Sequence, residues 1–117
     1  MNFNKLISLN FSGFHNSLEK KDLKYIFSSL KELKELIIKE TVLENVDFLN
    51  STKRLEILEI NLSDKMTEID LLPLTGELLL LKKLGIWTFF NLLKTILNKR
   101  KRGIYIYYRL YDMYMNE

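Results

Sequence analysis

The 117-residue chain has no cysteine. That excludes disulfide staples, thiolate metal sites and cysteine nucleophiles, and it suits a reducing compartment. Alanine is absent too, while Asn, Lys, Ile and Tyr are plentiful, a codon-composition signature with no physical requirement behind it. No apolar stretch is long enough for a bilayer: residues 78–93 are the longest such region and are broken by Lys82 and Lys83, whereas a span takes about 20 mainly apolar residues. The opening MNFNKLISLNFSG is too polar for a secretory signal. LTGELLLLKK contains Gly and Lys but lacks the glycine spacing and the Gly-Lys-Ser/Thr ending of a phosphate loop, and there is no dinucleotide fingerprint. The lone histidine, His15, lies in the polar stretch GFHNS without a neighbouring nucleophile or carboxylate. Asp64, Glu68 and Asp70 form the densest acidic group, yet no Gly-bearing calcium loop surrounds them. These absences point away from an enzyme and from any cofactor, metal or small-molecule substrate. The expected setting is the cytoplasm, with the nucleus as the alternative.

What is present has the balance of a folded globular protein: 47% hydrophobic and 28% charged residues. The length fits one domain over residues 1–117. Net charge is +3, but Lys94, Lys99, Arg100, Lys101, Arg102 and Arg109 supply six cations with no acid among them. At +3 less those six, the rest of the chain carries −3. Residues 94–117 thus form a basic, Tyr-rich C-terminal segment, and such asymmetry hints at an anionic partner.

One spacing recurs. KELKELIIKE, at residues 31–40, looks locally like surface helix, yet Leu33, Leu36 and Ile38 make the frame L-x-x-L-x-I. The frame returns as Leu55, Leu58 and Ile60, and again as Leu81, Leu84 and Ile86. Leu6, Leu9 and Phe11 match it upstream, and Ile104 and Ile106 match it downstream, with Lys101 in the first apolar slot. The last positions, Phe11, Ile38, Ile60, Ile86 and Ile106, are separated by 27, 22, 26 and 20 residues, the period of one strand plus a return segment. Two apolar residues two apart point to one face of a strand. Strands stacked side by side then bury a continuous ladder that no single unit can bury alone. The recurrence therefore predicts a strand at Leu36–Ile38, preceded by the end of a helix.

With this frame the chain resembles the leucine-rich repeat family over nearly its whole length. The resemblance implies an α/β fold: a leucine-rich-repeat solenoid of about four to five repeats, with a short parallel sheet on the concave side and helices or loops on the convex side. The asparagine that the family often places three residues after the frame is replaced by Phe14, Thr41, Ser63, Phe89 and Arg109.

The return segments differ in length. SLEKKDLKYIFSSLKEL, residues 17–33, is predicted helical, with Ser17 as N-cap and Leu18, Tyr25, Ile26, Ser29, Leu30 and Leu33 along one side. ENVDFLNS has room for one or two turns. MTEIDLLPL holds a short helix ended by Pro73. Residues 88–99 form a second helix with Phe89, Leu92, Leu93, Ile96 and Leu97 as its buried stripe.

Within the resemblance, residues beside the ladder face outward in three rows: Ser8, Glu35, Ile57, Lys83 and Gly103; Asn10, Ile37, Glu59, Gly85 and Tyr105; Ser12, Lys39, Asn61, Trp87 and Tyr107. Ile37, Ile57, Trp87, Tyr105 and Tyr107 are the candidate protein-binding residues, since Trp and Tyr bury large areas at little conformational cost. An inward-turned Trp87, closing the core under the second helix, is the competing expectation. The run NKRKRGIYIYY offers another partner. Lys99, Arg100, Lys101, Arg102 and Arg109 suit RNA phosphates, and tyrosines suit stacking on unpaired bases. A nuclear-import address or a solvated loop before a last strand explains the same run. Little room precedes the first frame, so at least one end of the array is expected to be covered by a partner, a second copy or further sequence. The reading is a non-catalytic protein–protein interaction module or subunit of a larger assembly. Its alternative is a small ribonucleoprotein component, such as a ribosome-associated protein.

Overall fold

The computed structural model describes residues 5–10, 20–100 and 103–111. Five strands, β1 (Ser8–Asn10), β2 (Glu35–Leu43), β3 (Ile57–Leu62), β4 (Lys83–Thr88) and β5 (Tyr105–Leu110), form one sheet in chain order, and every neighbouring pair is parallel. Between them lie α1 (Lys20–Ser28), a 3-10 helix (Asp47–Ser51), a shorter 3-10 turn (Ile69–Leu71) running into a π-helical turn (Pro73–Glu77), and α2 (Phe90–Lys99). The chain is thus an α/β fold built on a parallel sheet. Of KELKELIIKE, residues 35–40 are strand, where the local helical pattern yields to the ladder; residues 31–34 are a turn and its exit, because α1 ends at Ser28 and not at Leu33 as expected.

All three frame slots are buried in the middle strands: Leu33, Leu55 and Leu81 in the first, Leu36, Leu58 and Leu84 in the second, Ile38, Ile60 and Ile86 in the third. They share one core with Leu23 and Phe27 of α1, Phe48 and Leu49 of the first 3-10 helix, Leu71 and Leu74, and Leu92, Leu93 and Ile96 of α2. The rings of Phe27 and Phe48 meet with centroids 4.8 Å apart. The backbone repeats as well. The carbonyls of Ile7, Lys34 and Glu56 each accept two amides from the residues leading into the next strand, at 2.8–3.0 Å. At the fifth strand the Lys82 carbonyl accepts the Tyr105 amide at 2.8 Å.

Several expectations need correction. The second slot of β5 is Ile106, opposite Leu84, and the third is Tyr108, opposite Ile86. The fifth frame therefore sits two residues later than its Ile104–Ile106 spacing suggested. The inward parity is unchanged, because a slip of two keeps each side chain on its face. β2 continues to Leu43 through a register shift between Ile38 and Val42. The Asn61 side chain closes that irregularity by donating to the Lys39 carbonyl at 2.9 Å. Pro73 does not end the chain's helical course; it opens the π-helical turn, where a missing amide is tolerated. Along α1 the buried residues are Leu23 and Phe27, whereas Tyr25 is 79% exposed. Leu97 likewise leaves the α2 stripe for solvent, and Phe89 is only half-buried. Ser17 and Leu18, like Phe11, Ser12, Phe14 and His15, lie outside the described residues.

Candidate interaction surface

The inner face of the sheet is filled by the ladder; the outer face is where odd-numbered side chains of β4 and β5 emerge. The observed register replaces the expected rows. Ser8, Glu35, Ile57, Lys83 and Tyr105 now stand in line, followed by Asn10, Ile37, Glu59, Gly85 and Tyr107. Asn61, Trp87 and Arg109 form the third row. Trp87 is on this open face and half-buried, between the inward, buried Ile86 and Thr88. The inward-turned alternative for Trp87 is not what the structure shows. Tyr105, Tyr107 and Trp87 gather on β4 and β5, with the Tyr105 and Tyr107 rings 5.7 Å apart. Ile37 and Ile57, both half-buried, stand on β2 and β3. Glu59 separates the two groups.

Glu59 organises the centre. Lys39 pairs with it at 3.4 Å, and the Tyr107 hydroxyl donates to its Oε1. To make that bond the Tyr107 ring crosses β4 above Gly85, where a Cβ would sit 2.4 Å from ring atoms. Only glycine admits this approach, which is the usual reason for glycine inside a strand. Burial first, and then the bond to Glu59 and the charges of Glu59 and Glu35, push the Tyr107 phenol above the ordinary tyrosine range. Cations stand over the rings: the Lys39 ammonium is 5.6 Å from the Trp87 centroid, and that of Lys83 is 5.5 Å from Tyr107.

Beyond Trp87 and Arg109 the face dips into a hollow of about 430 Å³ lined by Val42, Ser63, Asp64, Phe89 and Tyr111. Phe89 and Tyr111 form its aromatic wall, with centroids 5.2 Å apart. The Tyr111 hydroxyl donates to Asn61 Oδ1, and burial raises its pKa. This hollow, and the Lys39–Glu59–Tyr107 link, were not read from the sequence. Both depend on the register of β5 against β4, and the only prior signal was a glycine amid apolar strand residues.

The basic run is divided. The Arg100 guanidinium turns inward, donating from Nε to the Leu74 carbonyl at 2.7 Å and from Nη2 to the Leu78 carbonyl at 2.6 Å. Burial lowers its pKa. Lys99 pairs with Glu68 at 3.4 Å. Arg109 is exposed on the outer face, while Lys101 and Arg102 lie outside the described residues. The acidic group is also dispersed: Asp70 Oδ2 accepts the Thr67 amide and hydroxyl at 2.8 and 3.0 Å, and Glu68 goes to Lys99. Among the described residues no group of three or more His, Cys, Asp or Glu is placed to hold a metal ion. None of their helices is long and apolar enough to cross a membrane. Searches against protein-family models, curated proteins and solved structures give no match.

Proposed function

We propose that the chain is a short leucine-rich-repeat solenoid acting inside the cell, in the cytoplasm, as a non-catalytic protein-interaction module. Support for the repeat comes from the three buried slots that recur in β2, β3 and β4 and from the carbonyl that accepts two amides before each of these three strands. The observation that carries the functional reading is the grouping of Trp87, Tyr105 and Tyr107 on the open face of the sheet. Tyr105 is 64% exposed there, and such residues anchor interfaces when a partner covers them. Ile37 and Ile57 extend the same face toward β1.

The ribonucleoprotein reading draws on the same C-terminal segment. Lys99 and Arg100 are engaged within the fold; Lys94 and Arg109 are exposed, and with Lys101 and Arg102, which lie outside the described residues, they make the set proposed for phosphates. Four such contacts give a log–log salt slope of about −3 to −4. The test is recovery of the protein from native extract at low and high salt, with and without ribonuclease. A protein partner retained at high salt, indifferent to ribonuclease and lost on Trp87→Ala by on the order of 2 kcal/mol is the expected result. A partner released at moderate salt and by ribonuclease makes the RNA reading the correct one.

A further inference from the structure

The outer face is polarised along the order of its strands. On the β1–β3 side it carries Glu35, Glu59 and Lys39; Glu35 accepts the Ser8 hydroxyl at 2.6 Å and Glu59 is matched by Lys39. β4 and β5 carry Lys83 and Arg109 and contain no acid. Both cations are exposed, and neither has a carboxylate within ion-pair distance among the described residues. Between them lie Trp87, Tyr105 and the ring of Tyr107.

We infer that the partner presents an extended acidic segment, with two carboxylates four residues apart, to the β4–β5 half of this face. This rests on the interaction-module reading and names the chemistry of its partner. Lys83 is in register with Tyr105, and Arg109 lies four residues further along the adjacent strand. At about 3.3 Å per residue and 4.8 Å between strands, their Cα atoms are roughly 14 Å apart. In an extended chain, residues i and i+4 share a face and are also separated by roughly 14 Å. One carboxylate meets Lys83, the other meets Arg109, and the apolar side chain between them covers Tyr107 and Trp87. Past Arg109 the hollow beside Phe89 and Tyr111 takes a further apolar side chain. Asp64 stands at that rim, so an acid there is disfavoured and the register of the segment is fixed.

The experiment pans a display library of random nonapeptides on the full chain, on Lys83→Glu/Arg109→Glu and on Trp87→Ala, and titrates oligouridylate against the same proteins. The expected result is enrichment of Asp or Glu at four-residue spacing around an apolar residue, with at least a tenfold loss of affinity for those peptides in the Lys83→Glu/Arg109→Glu protein. Enriched peptides without spaced acids that still depend on Trp87 overturn this inference and leave the interaction surface standing. No enriched peptide, with or without oligouridylate binding, overturns both. Circular dichroism checks that the charge-reversed protein folds; Lys83→Gln/Arg109→Gln is the milder variant and is expected to lose the same preference.

Discussion

The middle strands and the last strand present the same alternation to different neighbours. Leu36, Leu58 and Leu84 are 0% exposed, and the β5 residue in their register, Ile106, is only half-buried. Ile38, Ile60 and Ile86 are buried, whereas Tyr108 beside Ile86 is 54% exposed. Among the described residues, β2, β3 and β4 are each flanked by two strands, and β5 pairs with β4 alone. Burial in this sheet is therefore conferred by flanking strands more than by the frame residues themselves.

That difference predicts unequal costs for the same truncation. Leu58→Ala removes a fully enclosed side chain and should destabilise by about 3–5 kcal/mol, including the cavity it leaves. Ile106→Ala, already half in solvent, should cost about 1 kcal/mol. Urea denaturation of the two variants checks this. Equal losses would mean that β5 is as enclosed as β3 and would break the comparison.

The segment leading into β5 repeats the contrast among its cations. Arg100 bridges the carbonyls of Leu74 and Leu78, tying the end of α2 to the π-helical turn. Arg100→Met leaves both carbonyls without that donor and should cost about 1–3 kcal/mol. Lys99→Met removes only an exposed pair with Glu68 and should change stability by less than about 1 kcal/mol. Thermal denaturation of both proteins measures the difference. A larger loss at Lys99 would return Arg100 to the pool of surface cations on which the RNA reading depends.

How much of this was legible depends on where recurrence helps. The strand in KELKELIIKE is visible because Leu55–Ile60 and Leu81–Ile86 repeat its spacing, and recurrence outweighs a local helical pattern. The register of β5 is not, because IYIYYRL alternates apolar and aromatic residues over more than one in-phase alignment, and a slip of two costs the pattern nothing. The irregularity at residues 39–41 carries no glycine or proline to announce it. Asn61 reads as an outward polar residue but is buried, joining Lys39 to Tyr111. Of the candidate surface, the residues Trp87, Tyr105 and Tyr107 were legible; their grouping with Lys83 and Arg109 follows only from the pairing of β4 with β5.

Tyr107 sharpens the contrast at the smallest scale, because it is the outward β5 residue that reaches furthest back toward the middle of the sheet. Its hydroxyl bonds to Glu59 across Gly85, so it helps hold β5 to β3 without any strand pairing between them. Tyr107→Phe should cost about 1 kcal/mol at neutral pH. The pH dependence identifies the cause. Burial, followed by Glu59, raises the folded-state pKa of this phenol, while an unfolded tyrosine titrates near about 10. The stabilisation is therefore complete below about pH 10 and is lost as pH rises above it, since the unfolded chain releases the proton more readily than the folded one. Denaturant midpoints followed from neutral to alkaline pH should fall less steeply above about pH 10 for Tyr107→Phe than for the unaltered protein. Parallel curves would mean that the hydroxyl is in water, and that β5 is held by its pairing with β4 alone.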